Sequence, residues 1–105
     1  MSSPVAQVTE RYEAFLAKPF PTGYRMKTIG NKTLAVYQSE MLGYIITFAN
    51  TNGSLGSRQR KVLNDDVHQL QNALSEFSEE AQVYFKELLS IAQFVLRTAH
   101  DQPQL

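Results

Sequence analysis

Asp65 and His68 stand three residues apart, a spacing that on a helix places carboxylate and imidazole on one face. Pairs of this kind ligate metals inside helical bundles, but such sites use the motif twice and add further carboxylates. The chain has no second copy, so the expectation is a polar helix face of Asp65, His68, Gln69 and Asn72 with a local ion pair. His100 precedes the polar run Asp101-Gln102-Pro103-Gln104 and is expected in solvent. The chain carries no Gly-x-Ser-x-Gly elbow, no Walker A loop and no Gly-x-Gly-x-x-Gly turn. With no cysteine, a thiol nucleophile, a disulfide scaffold and a Cys-ligated zinc or iron–sulfur site are excluded. No catalytic, cofactor-binding or metal-ligating residue is therefore predicted, and the expectation is a protein that is not an enzyme.

Anion binding is the other chemistry on offer. The loop Asn52-Gly53-Ser54-Leu55-Gly56-Ser57 precedes a helical pattern and could present backbone amides, with Arg58, Arg60 and Lys61 adding positive charge. It lacks the spacing and the leading strand of a phosphate cradle, so a flexible connector is expected. The same three basic residues, with Arg25, Lys27 and Lys32, are the candidate nucleic-acid contacts. The charge count works against that use. Ten basic residues balance ten acidic ones. The balance hides an order: residues 1–61 hold eight basic and three acidic groups, and residues 62–105 hold two basic and seven acidic. Nucleic-acid binders show a domain-wide basic excess, which is missing here.

These residues depend on the elements that carry them. The length of 105 residues, with 43% hydrophobic and 19% charged, fits one small folded domain rather than a disordered chain. An N-terminal helix is expected within residues 1–18, capped by Ser3, opened by Pro4 and stopped by the Pro/Gly connector 19–23. In that connector Phe20 stands between two prolines, so it is either a ligand for a groove or, as we expect, a strap pinned to the core by Phe20 and Tyr24. Residues 24–50 support two readings. A helix from about Asn31 aligns Leu34, Tyr37, Met41, Tyr44, Ile45 and Phe48, and Asn50-Thr51-Asn52-Gly53 ends it. Alternatively, Gly30-Asn31 turns a hairpin and Tyr44–Ala49 supplies a third strand. The helical reading is the one we adopt.

From residue 57 to 99 the apolar positions Leu63, Val67, Leu70, Leu74, Phe77, Ala81, Tyr84, Leu88, Ile91 and Val95 alternate steps of four and three. Ser57 is the expected cap. The run is either one helix about 64 Å long, which needs a partner chain, or a hairpin turning at Phe77-Ser78, which we favour. The expected fold is mainly α, a small bundle of about four helices; the alternative is α+β with a three-stranded antiparallel sheet.

The last helix carries a second apolar stripe of Phe85, Leu89, Ala92 and Leu96. A helix that is apolar on two sides is central in its own core or shared with another subunit. These four residues are the expected protein-interaction surface, and a homodimer is the expected state. The functional expectation is a protein-interaction module (adaptor, regulator or assembly factor) whose partners are itself and another protein, with nucleic acid as the alternative. No signal peptide is visible, and Leu34–Ala49 falls short of the about 20 apolar residues of a membrane span, so a cytoplasmic protein is expected.

Overall fold

Ser3 Oγ accepts the Ala6 amide at 3.1 Å and Pro4 opens helix α1 (Pro4–Leu16), as its sequence signals dictate. The computed structural model describes residues 3–101, so the end of the polar tail, 102–105, lies outside the described residues. After α1 the chain runs extended through Pro19 and Pro21, turns at Gly23 with φ +84°, and reaches a short hairpin. Strands β1 (Thr28–Ile29) and β2 (Lys32–Thr33) pair antiparallel across Gly30-Asn31, with Gly30 at φ +64°. Thr33 then caps helix α2 (Leu34–Asn50), its Oγ1 accepting the Val36 amide at 3.3 Å.

Both readings of residues 24–50 therefore contribute, in unequal measure. The Gly30-Asn31 hairpin exists, but with two residues per strand. The third strand of the α+β alternative does not, because residues 44–49 lie inside α2. Leu34, Tyr37, Met41, Ile45 and Phe48 are all buried along one side of that helix. Burying this stripe outweighs the β-preference of Tyr-Ile-Ile-Thr-Phe, since local propensity is the weaker term. The helix starts three residues later than Asn31 because the hairpin occupies residues 28–33.

The end of α2 is built by backbone geometry. Asn52 adopts φ +55° and the Gly53 amide donates back to Phe48 O at 2.8 Å, closing a Schellman turn. Beyond it, β3 (Ser54–Leu55) lies parallel to β4 (His100–Asp101). Thr51 Oγ1 donates to Ser54 O at 2.7 Å and Ser54 Oγ to Thr51 O at 3.1 Å. The loop 51–57, expected as a flexible connector, carries these side-chain bonds and the β3–β4 pairing. His100 is exposed, but its amide donates to Gly53 O at 3.0 Å.

Helix α3 (Ser57–Ala73) is capped one residue earlier than expected. Gly56 is the cap residue, and its amide donates to Gln59 Oε1 at 2.9 Å. A 3₁₀ turn, Leu74–Glu76, and the extended Phe77 end α3 and reverse the chain. Ser78 Oγ accepts the Ala81 amide at 3.2 Å to start helix α4 (Glu79–Thr98), with Glu79 and Glu80 at its positive end and Arg97 at its negative end. The hairpin is the observed form, and the continuous helix is overturned: the longest extent of the molecule is 42 Å.

The described residues form four α-helices, and the structure is 71% helical. α2 and α4 form the central pair, each packing against the other three helices. Phe85, Leu89 and Ala92 of the second stripe are consequently buried inside the chain, and Leu96 is half-buried. Three of the four expected interaction residues are core residues. α4 is apolar on two sides because its own chain surrounds it. Among the described residues no helix is long and apolar enough to cross a membrane.

Candidate functional site

α1 and α2 pack with an opening between them. A cleft of about 320 Å³ runs between them, floored by Val8, Tyr12 and Ile45 and edged by Leu16, Ile46 and Ala49. Leu16 is 53% exposed and Ile46 39%. Leu16 and Ile46 flank the buried floor, so the cleft joins them into one small apolar surface. Thr9, Glu13 and Asn50 supply the polar edge, and Glu13 is its charged group. The cleft follows from helix geometry. α1 turns Val8 and Phe15 to the core, which leaves Tyr12 and Leu16 on the flank toward α2. Leu42, Ile46 and Ala49 follow one another at helical spacing along α2.

The sequence-predicted residues are placed differently. Asp65 and His68 are both exposed on α3, and no ion pair joins them. Among the described residues, no three acidic or histidine side chains are grouped so as to hold a metal ion. Arg60 and Lys61 of the basic run line one shallow opening with Ser57, Asn64 and Leu96, and Arg58 is not part of that lining. Arg58 and Lys61 are exposed, while Arg60 turns along the molecule and donates from Nη2 to Ala99 O at 3.0 Å. That bond places a cation at the carboxyl end of α4, where the helix dipole favours it.

The strap 18–24 is part of the core boundary. Phe20 packs at 5.4 Å from Tyr84 and 5.7 Å from Phe85, with the Arg25 guanidinium 4.7 Å over its other side. Tyr24 stands edge-on to Phe77 at 5.3 Å, and its hydroxyl accepts the Ser78 amide at 2.9 Å. Phe20→Ala should therefore destabilise the fold by about 2 kcal/mol, below the range for a fully enclosed Phe because this ring is only half-buried. Urea unfolding measures it; an unchanged midpoint would return Phe20 to the role of a ligand.

A second cluster has no sequence motif behind it. Lys32 Nζ donates to Asp66 Oδ1 at 2.7 Å and to Glu40 Oε2 at 2.8 Å, and it sits 4.5 Å from the centre of the Tyr37 ring. Asp66 is 1% exposed, and its Oδ2 meets no donor. Burial, then the hydrogen-bonded Glu40 carboxyl, push the Asp66 carboxyl up to about 6 against the pull of Lys32. Glu40 moves the other way, lowered by its bond with Asp66 and by Lys32 despite its burial. Burial opposes the Lys32 ammonium, but the bonds and charges of the two acids outweigh it and raise its pKa. One signal of this cluster is legible in the sequence: Asp66 stands three residues after Leu63 and four before Leu70, on the apolar side of α3.

On the opposite flank, Arg11 ties α1 to α4 through Ser90 Oγ at 2.7 Å and Glu87 at 3.3 Å. These pairs use charge to join helices of one chain. No family model, no curated protein and no solved structure matches this chain.

Proposed function

We propose that this chain is a non-catalytic protein-binding module, an adaptor, regulator or assembly factor, and that it docks its partner in the α1–α2 cleft. The observation that carries the reading is the exposure of Leu16 and Ile46 on either side of an apolar floor. The occupant we assign is an amphipathic helix of another protein, with apolar side chains entering the cleft and a Lys or Arg opposite Glu13. A second copy of this chain fits less well. Two-fold pairing of the same faces brings two Glu13 carboxylates into one interface, and no basic side chain lines the cleft to meet them.

The test uses a helical peptide with leucines at positions i, i+4 and i+7 and flanking lysines, titrated against the full chain by fluorescence anisotropy. Ile46→Asp and Leu16→Asp change partly exposed residues, so each variant should stay folded with a stability loss of about 1–2 kcal/mol at most. Binding should weaken about tenfold or more in either variant, a loss of about 1.4 kcal/mol or more. A glutamate-flanked peptide with the same apolar face should bind more weakly, and added salt should narrow the difference. Equal binding by the wild type and both variants overturns the assignment. So does a wild-type dimer that Ile46→Asp dissociates in sedimentation, because the cleft then belongs to a second copy.

A further inference from the structure

We propose that Asp66 and Glu40 hold one proton between them, and that this proton and the Lys32 ammonium are alternative ties between α2 and α3, forming a pH-sensitive clasp. The geometry is specific. Both carboxyl groups bind one ammonium nitrogen, Asp66 Oδ1 at 2.7 Å and Glu40 Oε2 at 2.8 Å, which sets two acidic side chains from different helices beside each other. When both are ionised, each is an acceptor only, and nothing but a proton or the lysine can join them. Asp66 Oδ2 is the unfilled position, a buried oxygen without a donor. Such an atom is costly as a charged acceptor and is satisfied once the carboxyl carries hydrogen.

The titratable and charged groups facing Asp66 are Lys32 from β2 and Glu40 and Tyr37 from α2. Tyr37 does not compete for the proton, because its hydroxyl donates to Ile29 O at 3.0 Å and burial raises its pKa. Asp65, the neighbour on α3, is exposed. In the protonated state the Asp66–Glu40 bond links α2 to α3 directly and Lys32 adds to it. In the deprotonated state two like charges face each other across the helix contact, and Lys32 alone holds them. The small β1–β2 hairpin, which delivers Lys32, thereby becomes essential to the helix packing only at the higher pH.

The sign follows from linkage. A carboxyl held at about 6 in the folded chain stabilises the fold below its unfolded value, and that gain is lost as pH rises through about 6. Asp66→Asn imitates the protonated form, its amide oxygen accepting from Lys32 and its amide nitrogen donating to Glu40. From about pH 4.5 to about pH 7.5 the folding constant of the wild type should fall about tenfold or more relative to that of Asp66→Asn. Lys32→Met removes the cation that bonds both carboxylates. The midpoint of Asp66, followed by the carboxyl carbon shift in NMR, should then move up by about one unit or more.

Glu40→Gln supplies the reverse case and serves if Asp66→Asn does not fold. Its amide donates to an ionised Asp66, so the midpoint should fall below the wild-type one. A wild-type Asp66 midpoint in the ordinary carboxylate range overturns the clasp. The same follows if Asp66→Asn reproduces the wild-type pH profile, or if neither Lys32→Met nor Glu40→Gln moves the midpoint.

Discussion

Phe85→Ala is expected to lower the unfolding free energy by about 3–5 kcal/mol, the range for truncating an enclosed aromatic. Phe85 is fully buried, and its ring lies 5.0 Å from Tyr84, 5.5 Å from Phe77 and 5.7 Å from Phe20. Removing it opens a hole where the strap, the turn before α4 and α4 itself meet. Those groups are fixed by separate backbone segments, so they cannot close together over the gap. A fold of this size has about 5–15 kcal/mol in total, so the variant sits close to the limit of folding. Urea unfolding measures the loss, and light scattering on the folded fraction should give the wild-type mass. The pairing of these two results matters. A residue on a subunit interface would shift the mass with protein concentration and leave the isolated chain nearly as stable as before. Leu89→Ala should behave in the same way, at about 2–5 kcal/mol.

That contrast shows how far the sequence can be read. The apolar surplus of α4 is visible at once, but whether another chain or the same chain covers it depends on what α1, α2 and the strap do. Phe20 and Tyr24 cover one end, and α1 the middle, with Arg11 reaching Ser90 and Glu87. These contacts join residues more than fifty positions apart, beyond the reach of periodicity. The same holds for the unbroken three–four pattern from Leu63 to Val95. It continues across the turn because Leu74 is half-buried and Phe77 fully so, and both point to the same core as the helices. Periodicity reports which residues are inside; it does not report where the chain reverses. The cap at Ser78 does, and it was legible.

The cleft and the clasp were hidden for different reasons. Leu16 and Ile46 belong to ordinary amphipathic patterns, and they share one surface because α1 and α2 lie side by side. Lys32, Glu40 and Asp66 come from a hairpin and two helices, with nothing local linking 32 to 66. Asp66 alone carried a trace, a charge on the side of α3 that holds Leu63, Val67 and Leu70. A charged residue on a buried face implies a partner. The sequence does not say which of the chain's cations that partner is.

Two glycines close to one another in the chain should respond to substitution with opposite signs. Gly43 lies inside α2 on the exposed side, and a Cβ there would meet nothing within 4 Å. Gly43→Ala reduces the freedom of the unfolded chain and should stabilise the fold by about 0.5–1 kcal/mol. Gly53 is buried and held at φ +91°, where it follows the Schellman turn and accepts the His100 amide. An L-residue in that conformation costs about 1–2 kcal/mol, so Gly53→Ala should destabilise by this amount. Its Cβ would stand at ordinary contact distance, 3.5 Å from Val5 and 3.6 Å from His100 Nε2. Gly53→Val pushes two further carbons into that space, adding overpacking to backbone strain, for a loss of about 2–4 kcal/mol. Because the His100 amide donates to Gly53 O, its hydrogen exchange should quicken in Gly53→Val more than that of Leu34, whose amide donates to Lys27 O at the hairpin. Equal quickening at both sites would mean that the whole fold has loosened and that Gly53 has no special hold on β4. Stabilisation by Gly53→Ala would show that the turn tolerates a side chain and that the end of α2 is free to rearrange.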